Sequence, residues 1–335
     1  GRDATGTLNL KITDSPVDEA EKVVVVFTGI ELKPRGGAAY SVEVSCTEDP
    51  NTPEADCVNG HAYVDLLRLQ DGVTLDLLRN RAVAAGEYEW MRLAVLAERN
   101  NQAGSYIKML DGSQHPLYVP SGAETGLKLV RPFTVAQGGV TRLVVDFDLR
   151  KSVIDPPGLA DSYLLKPTLR MVDELITGTV RGTVNLSALA TALGDSTCDA
   201  GVYLFTGHDA VPDDMDGTAP DPVLYRKLEP DEADPAVATY TFPYLEAGTT
   251  AGRYTVAFTC DFGVDAAPDA SEYDPTAATG QPGFQTMKWT QTNTTVGAAG
   301  AAGGGAPPGP GPGGGGGCAL TPRSAPARAF ARRAP

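Results

Sequence analysis

The chain has 335 residues, 42% of them hydrophobic, which is enough for two domains with real cores beside a polar tail. Its formal charge of −15 argues against nucleic acid or anionic lipid as a partner, because phosphate binding needs clustered Lys and Arg. The same charge suits an extracytoplasmic protein, or one that meets cations.

Strand signals run through the first half. Thr7 to Thr13 alternates, with Leu8, Leu10 and Ile12 on one face. Val23 to Phe27 is an unbroken β-branched run, which predicts a strand covered on both faces, and Ile30 and Leu32 follow. Thr74 to Asn80 (TLDLLRN) reads as one or two helical turns. Glu87 to Leu96 predicts a strand whose inner face carries Met91, Leu93 and Val95. Short strands over 106–109, 117–119, 127–130 and 133–135 are cut by Gly, Pro and Asp turns. Thr141 to Leu149 alternates again, with Leu143, Val145 and Phe147 together.

A second unit starts near Leu175. Ile176 to Asn185 alternates, and Leu186 to Leu193 predicts a short helix. Strands follow at 202–205, 223–226, 239–245, 253–262 and 284–296. In RYTVAFTCDF, Tyr254, Val256, Phe258, Cys260 and Phe262 face one way, which predicts a central strand with one buried side. The order is similar to a transthyretin-like or carboxypeptidase-regulatory-like sandwich. From Gly297 to Gly317 nearly every residue is Gly, Ala or Pro, which predicts a disordered tether.

The cysteines predict two disulfides and one separate thiol. Cys46 and Cys57 bracket a polar loop, Cys198 and Cys260 flank strands of the second unit, and Cys318 is left over in the tail. Reduced, buried cysteines are the alternative. Zinc is a poor fit, since there is no C-x-x-C pair and His61, His115 and His208 lie far apart. The chain starts Gly1-Arg2-Asp3 with no Met and no apolar stretch, so a signal peptide, of lipoprotein type or otherwise, is expected ahead of it.

Thr13 to Pro34 (TDSPVDEAEKVVVVFTGIELKP), Val119 to Leu129 (VPSGAETGLKL), Asp146 to Val153 (DFDLRKSV) and Tyr163 to Asp173 (YLLKPTLRMVD) together resemble the bacterial domain of unknown function 4382 over about residues 5–175. The resemblance implies an exported, often lipid-anchored, β-rich domain of Gram-negative bacteria, and it implies no activity. The tail resembles Gram-negative C-terminal sorting signals, with a Gly-rich linker and a Gly-Cys step at Gly313 to Pro322. Cys318 is then a processing or lipidation point. The tail departs from that pattern after Pro322: RSAPARAFARRAP carries four arginines where an apolar helix belongs.

Candidate chemistry is sparse. Asp213, Asp214, Asp216 and Asp221 in one loop, with Asp265 and Asp269 in another, are weak calcium candidates, although the spacing is not that of an EF-hand. The rival reading is solvated acidic loops. Asp146 and Asp148 share a strand face and are expected to pair with Arg150 or Lys128, or to bind a ligand. Ser121 lacks the context of a nucleophile elbow. Trp90, Tyr88, Tyr106 and Tyr118 would form a sugar-stacking platform if the second face of their strand is open; burial of Trp90 in a core is the favoured placement.

The reading is an all-β chain of two β-sandwich-like domains, 5–173 and 174–296, with a disordered Gly/Pro-rich tail, 297–335. The expected function is a non-catalytic binding, adhesion or structural module on the outer membrane surface or outside a Gram-negative cell. Its partner is a surface ligand or glycan rather than nucleic acid, and membrane contact runs only through a lipid or C-terminal anchor. No catalytic residue and no cofactor are assigned, with calcium the one candidate ion. The alternatives are a calcium-dependent carbohydrate-binding accessory module and an uncharacterised hydrolase.

Overall fold

The computed structural model describes residues 4–15, 20–45, 55–70, 72–99, 101, 103–120, 126–154, 162–166, 168–214, 220–247, 252–264 and 287–297. Cys46, Cys318 and the tether beyond Gly297 lie outside them, as do Asp216, Asp265 and Asp269. The fold is all-β, in several sheets.

Two compact units divide the chain. The first comprises Gly1–Thr179 together with Phe242–Arg253 and Val296–Ala301, and the second holds Val180–Thr241, Tyr254–Thr295 and Ala302–Pro335.

The first unit contains β1 (Thr5–Ser15), β2 (Ala20–Pro34), β3 (Tyr40–Val42), β4 (Ala55–Val58), β5 (His61–Asp65), β6 (Leu75–Ala84), β7 (Gly86–Val95), β8 (Tyr106–Met109) and β9 (Gln114–Tyr118). It continues with β10 (Leu127–Leu129), β11 (Phe133–Val135), β12 (Val140–Asp148), the single turn α1 (Leu149–Ser152), β13 (Val153–Ile154), β14 (Tyr163–Leu165) and β15 (Leu169–Asp173). One sheet is four-stranded in the order β15-β12-β1-β6, and β1 runs parallel to β12. The larger sheet has eleven strands. Its spine is β2, which pairs with β8 and β7 along one edge and with β5 and β3 along the other.

The two sheets share one core. Leu8, Leu10 and Ile12 of β1 and Leu143, Val145 and Phe147 of β12 join Val23, Val25, Phe27, Ile30 and Leu32 of β2 in a single buried cluster. Phe27 and Phe147 meet edge to face across the sheets, with ring centroids 6.3 Å apart. The inward positions of β2 change parity after Phe27. Phe27 opposes Val95 and Gly29 opposes Ala94, so Thr28 is an inserted residue, a β-bulge. Without that insertion Ile30 and Leu32 would turn outward. Val24 and Val26 are also buried but lie outside the cluster, so the first half of β2 is covered on both faces, as its composition predicts.

Thr74 to Asn80 is not helical. It enters β6, antiparallel to β1, and Leu75, Leu77 and Leu78 feed the core. Tertiary pairing overrides the local leucine spacing there.

The second unit carries α2 (Leu186–Leu193), β17 (Gly201–Thr206), β18 (Leu224–Lys227), β20 (Arg253–Thr259) and β21 (Trp289–Thr295), with the sheet order β18-β17-β20-β21. The boundary between the units runs through β16 (Thr177–Asn185) and β19 (Val237–Glu246), which pair with each other. Helix α2 begins where the Asn185 side chain accepts the Ala188 N–H and ends at Gly194, which has φ 66°. Gly182 is required by packing, because a Cβ there would lie 2.5 Å from the Tyr240 hydroxyl. Burial raises the pKa of that phenol to about 12.

Strand β20 is central, but both of its faces are buried. Tyr254, Val256 and Phe258 are covered, and so are Thr255, Ala257 and Thr259. Phe262 leaves the expected face and packs on Tyr203 with Ala257. Cys198 and Cys260 form a disulfide across 62 residues of sequence. Cys57 is also disulfide-bonded, to a partner outside the described residues.

Two stability effects follow. Phe27→Ala removes the ring that bridges the sheets and should cost about 3–5 kcal/mol in urea melts. Cys198→Ser with Cys260→Ser should lower stability by about 4 kcal/mol by the chain-entropy relation, and should reduce the sensitivity to reductant to what the Cys57 disulfide leaves.

Candidate functional site

Two polar constellations of the first unit lie outside its core, one closed and one open.

The closed one covers the outer face of the four-stranded sheet. Asp146 of β12 and Arg170 of β15 are direct cross-strand neighbours, joined by a 2.7 Å ion pair. Arg170 also donates to the backbone carbonyl of Tyr244 at 2.8 Å. Lys11 of β1 pairs with Glu174 at 2.8 Å. Tyr244 has φ 56°, in the left-handed region that bulky residues avoid. Burial pushes the Asp146 carboxyl up, against the opposing pull of Arg170, and burial also raises the Tyr244 phenol. The Lys11 ammonium is raised by its hydrogen bond to Glu174. The bond from Arg170 ties the Tyr244 backbone to β15. Asp146 pairs with Arg170 rather than with the expected Lys128, and the expected Arg150 side chain lies outside what the structure describes.

The open constellation surrounds Trp90. A second bulge positions it: Lys33 opposes Trp90 and Pro34 opposes Tyr88, so Glu89 is inserted. Tyr88 therefore points inward, where it stacks on Phe133 at 4.9 Å and meets the Tyr40 hydroxyl at 2.7 Å, while Trp90 faces out. Trp90 is half-buried rather than core. Lys128 Nζ stands 4.4 Å from its ring centroid and the Arg92 guanidinium 5.0 Å. Arg92 is held by its cross-strand partner Glu31 at 2.7 Å. Lys33 donates to the Gly37 carbonyl. Exposed Lys128 meets no carboxylate among the described residues.

Strand β10 brings Lys128 to this place, directly opposite Arg92. Gly126 permits the approach. Its φ is 47°, and a Cβ there would sit 2.6 Å from the Leu93 carbonyl oxygen and 3.0 Å from the Arg92 stem.

The other expected site residues do not gather. Tyr118 lies under Arg99 at 6.0 Å, and Tyr106 is half-buried on β8. Trp289 packs edge-on against Tyr203 at 5.0 Å. Asp213 and Asp214 are buried, and the Asp213 carboxylate accepts the Asp214 N–H at 3.1 Å. Asp221 is half-buried. Among the described residues no three His, Cys, Asp or Glu side chains form a metal-holding group. Ser121, Glu124 and Thr125 lie outside those residues.

Residues 5–167 match the family model described as "Domain of unknown function (DUF4382)". This segment is a DUF4382 domain. Trp90, Arg92, Lys128, Lys11 and Asp146 all fall inside the matched DUF4382 region, whereas Arg170, Glu174 and Tyr244 fall beyond it. No curated protein matches the chain. A leucine-rich repeat protein from Bacteroides thetaiotaomicron is 13% identical over 88% of this chain and 25% of its own, with a TM-score of 0.19. The chain thus spans a quarter of that protein's length. A DUF3823 family protein from Bacteroides uniformis is 12% identical over 87% of this chain and 99% of its own, with a TM-score of 0.16.

The ion pair of Asp146 and Arg170 gives a test of the closed constellation. Arg170→Met strands a buried carboxylate and should cost about 3 kcal/mol in urea melts. The Asp146 pKa lies above its unfolded value, so this carboxyl favours the fold most below the unfolded pKa, and that contribution is lost as pH rises through the folded one. The stability of Asp146→Asn relative to wild type should therefore rise as pH increases above the ordinary carboxylate range of about 4.

Proposed function

We propose that this protein is a non-catalytic binding module of the bacterial cell envelope, exported and displayed outside the cytoplasm, whose contact surface is the Trp90 face of its DUF4382 domain. The observation that carries this reading is a half-open indole on the outer face of a rigid sheet, flanked by two cations, one of them without a carboxylate partner among the described residues. Packing does not require that arrangement. The core is complete on the other face of β7, where Met91, Leu93 and Val95 already lie. An aromatic ring with an adjacent cation, set on paired strands, is the kind of anchor that dominates binding surfaces.

The bonded state of Cys57 and the Cys198–Cys260 disulfide support an oxidising compartment. The acidic composition and the long Gly/Pro tether support display away from the cytoplasm.

Two measurements test the reading. A membrane-impermeant amine-reactive biotin should label the protein on intact producing cells; labelling only after lysis would reject surface display. An envelope polysaccharide fraction should retain the full chain, with retention about tenfold weaker for Trp90→Ala. Equal retention of both would remove Trp90 from the contact surface.

A further inference from the structure

From the charges around Trp90 we infer that its ligand is an acidic polysaccharide, a chain of sugars bearing single carboxylates. This rests on the reading of Trp90 as the contact surface and adds the class of ligand.

Four side chains define the site: Trp90 and Arg92 on β7, Lys33 on β2 and Lys128 on β10. Their charges are not equivalent. Arg92 pairs with Glu31 at 2.7 Å through one terminal nitrogen, and Arg35, just past β2, pairs with Glu87. Lys33 is tied to the Gly37 carbonyl. Lys128 is exposed, and among the described residues it contacts the indole face at 4.4 Å. In a chain of net charge −15, a cation left on an aromatic ring rather than on a carboxylate is available to an incoming anion.

The identity of that cation selects the anion. Phosphate is recognised best by a free arginine fork or by clustered cations, and here the charge of each arginine is already paired with a carboxylate. A single lysine is a mobile point charge on a flexible stem, suited to one carboxylate. An anionic membrane surface would call for several free basic residues together. The half-open indole beside Lys128 adds an apolar face for the C–H side of a pyranose ring once the lysine swings onto the carboxylate. The surface is a sheet face rather than a cleft, and β10, β7 and β2 present it as a strip, which suits an extended polymer more than a small molecule.

The geometry also explains Gly126. Any side chain there would strain the backbone and push β10 away from Arg92, and Lys128 would leave the ring.

Affinity electrophoresis and tryptophan fluorescence titration of the full chain test the inference with three probes: polygalacturonate, neutral dextran, and vesicles containing an anionic phospholipid. Polygalacturonate should bind in low salt and quench tryptophan emission, and binding should weaken in 1 M NaCl. Lys128→Gln and Trp90→Ala should each weaken it at least tenfold, with unchanged thermal melts. Lys108→Gln, which removes the same charge from β8, should leave it unchanged. Comparable binding of dextran and polygalacturonate, both lost in Trp90→Ala and kept in Lys128→Gln, would overturn the acidic class while leaving the contact surface in place. Preference for the anionic vesicles, or no binding of polygalacturonate, would also overturn it. Binding that survives Trp90→Ala would overturn both this inference and the assignment of the contact surface.

Discussion

A single strand sets the terms for the first unit. β2 is fifteen residues long and meets four partners, two along each edge. Its first half is buried on both faces and its second half on one. A regular strand of that length would present alternate residues to the core without interruption, and the valine run followed by GIELK does not keep that phase. The inserted Thr28 resolves the conflict by one residue, so Phe27 and Ile30 both point inward. The outward positions of the second half are then Glu31 and Lys33, which face Arg92 and Trp90 across β7. The open surface exists because the core phase was reset there.

The two polar constellations differ in how they are compensated. Around Asp146 every charge has been answered: Arg170 bonds the carboxylate and a backbone carbonyl, and Lys11 bonds Glu174. Such a network holds a segment in place, and its removal is costly because the remaining charge is stranded. Around Trp90 the neutralisation is incomplete. Glu31 answers Arg92, while Lys128 rests on a ring, an exposed contact worth about 0.5–1 kcal/mol. That is a weak hold, easily exchanged for a ligand.

The periodic elements were legible from residue order because period-2 burial is a local property. Leu8, Leu10 and Ile12 and the trio Leu143, Val145 and Phe147 lie where alternation puts them. Helix α2 was legible from its length, with Asn185 and Gly194 as its stops. Bulges are not local properties. Nothing in FTGI or YEWM marks Thr28 or Glu89 as inserted, since the insertion exists only relative to a partner strand. The expectation that Trp90 is core supposed a second layer over the other face of its strand, and that face proved half-open. The Leu75, Leu77 and Leu78 spacing suits a helical turn and a bulged strand equally, and pairing with β1 decided it. Asp146 was expected to pair with Arg150 or Lys128 or to bind a ligand, whereas the antiparallel register of β12 and β15 delivers Arg170.

The parallel pairing of β1 with β12 also fixes an order of events during synthesis. β1 can pair with β6 early, but on its other edge Thr7 to Ser15 meet their partners only once Val140 to Asp148 exist, about 130 residues later. At ordinary elongation rates that is on the order of ten seconds. Non-local pairing of this kind also folds slowly after the chain is complete. For that interval the β12 edge of β1 stays open. Such an edge is a site for chaperone binding or for pairing with another chain.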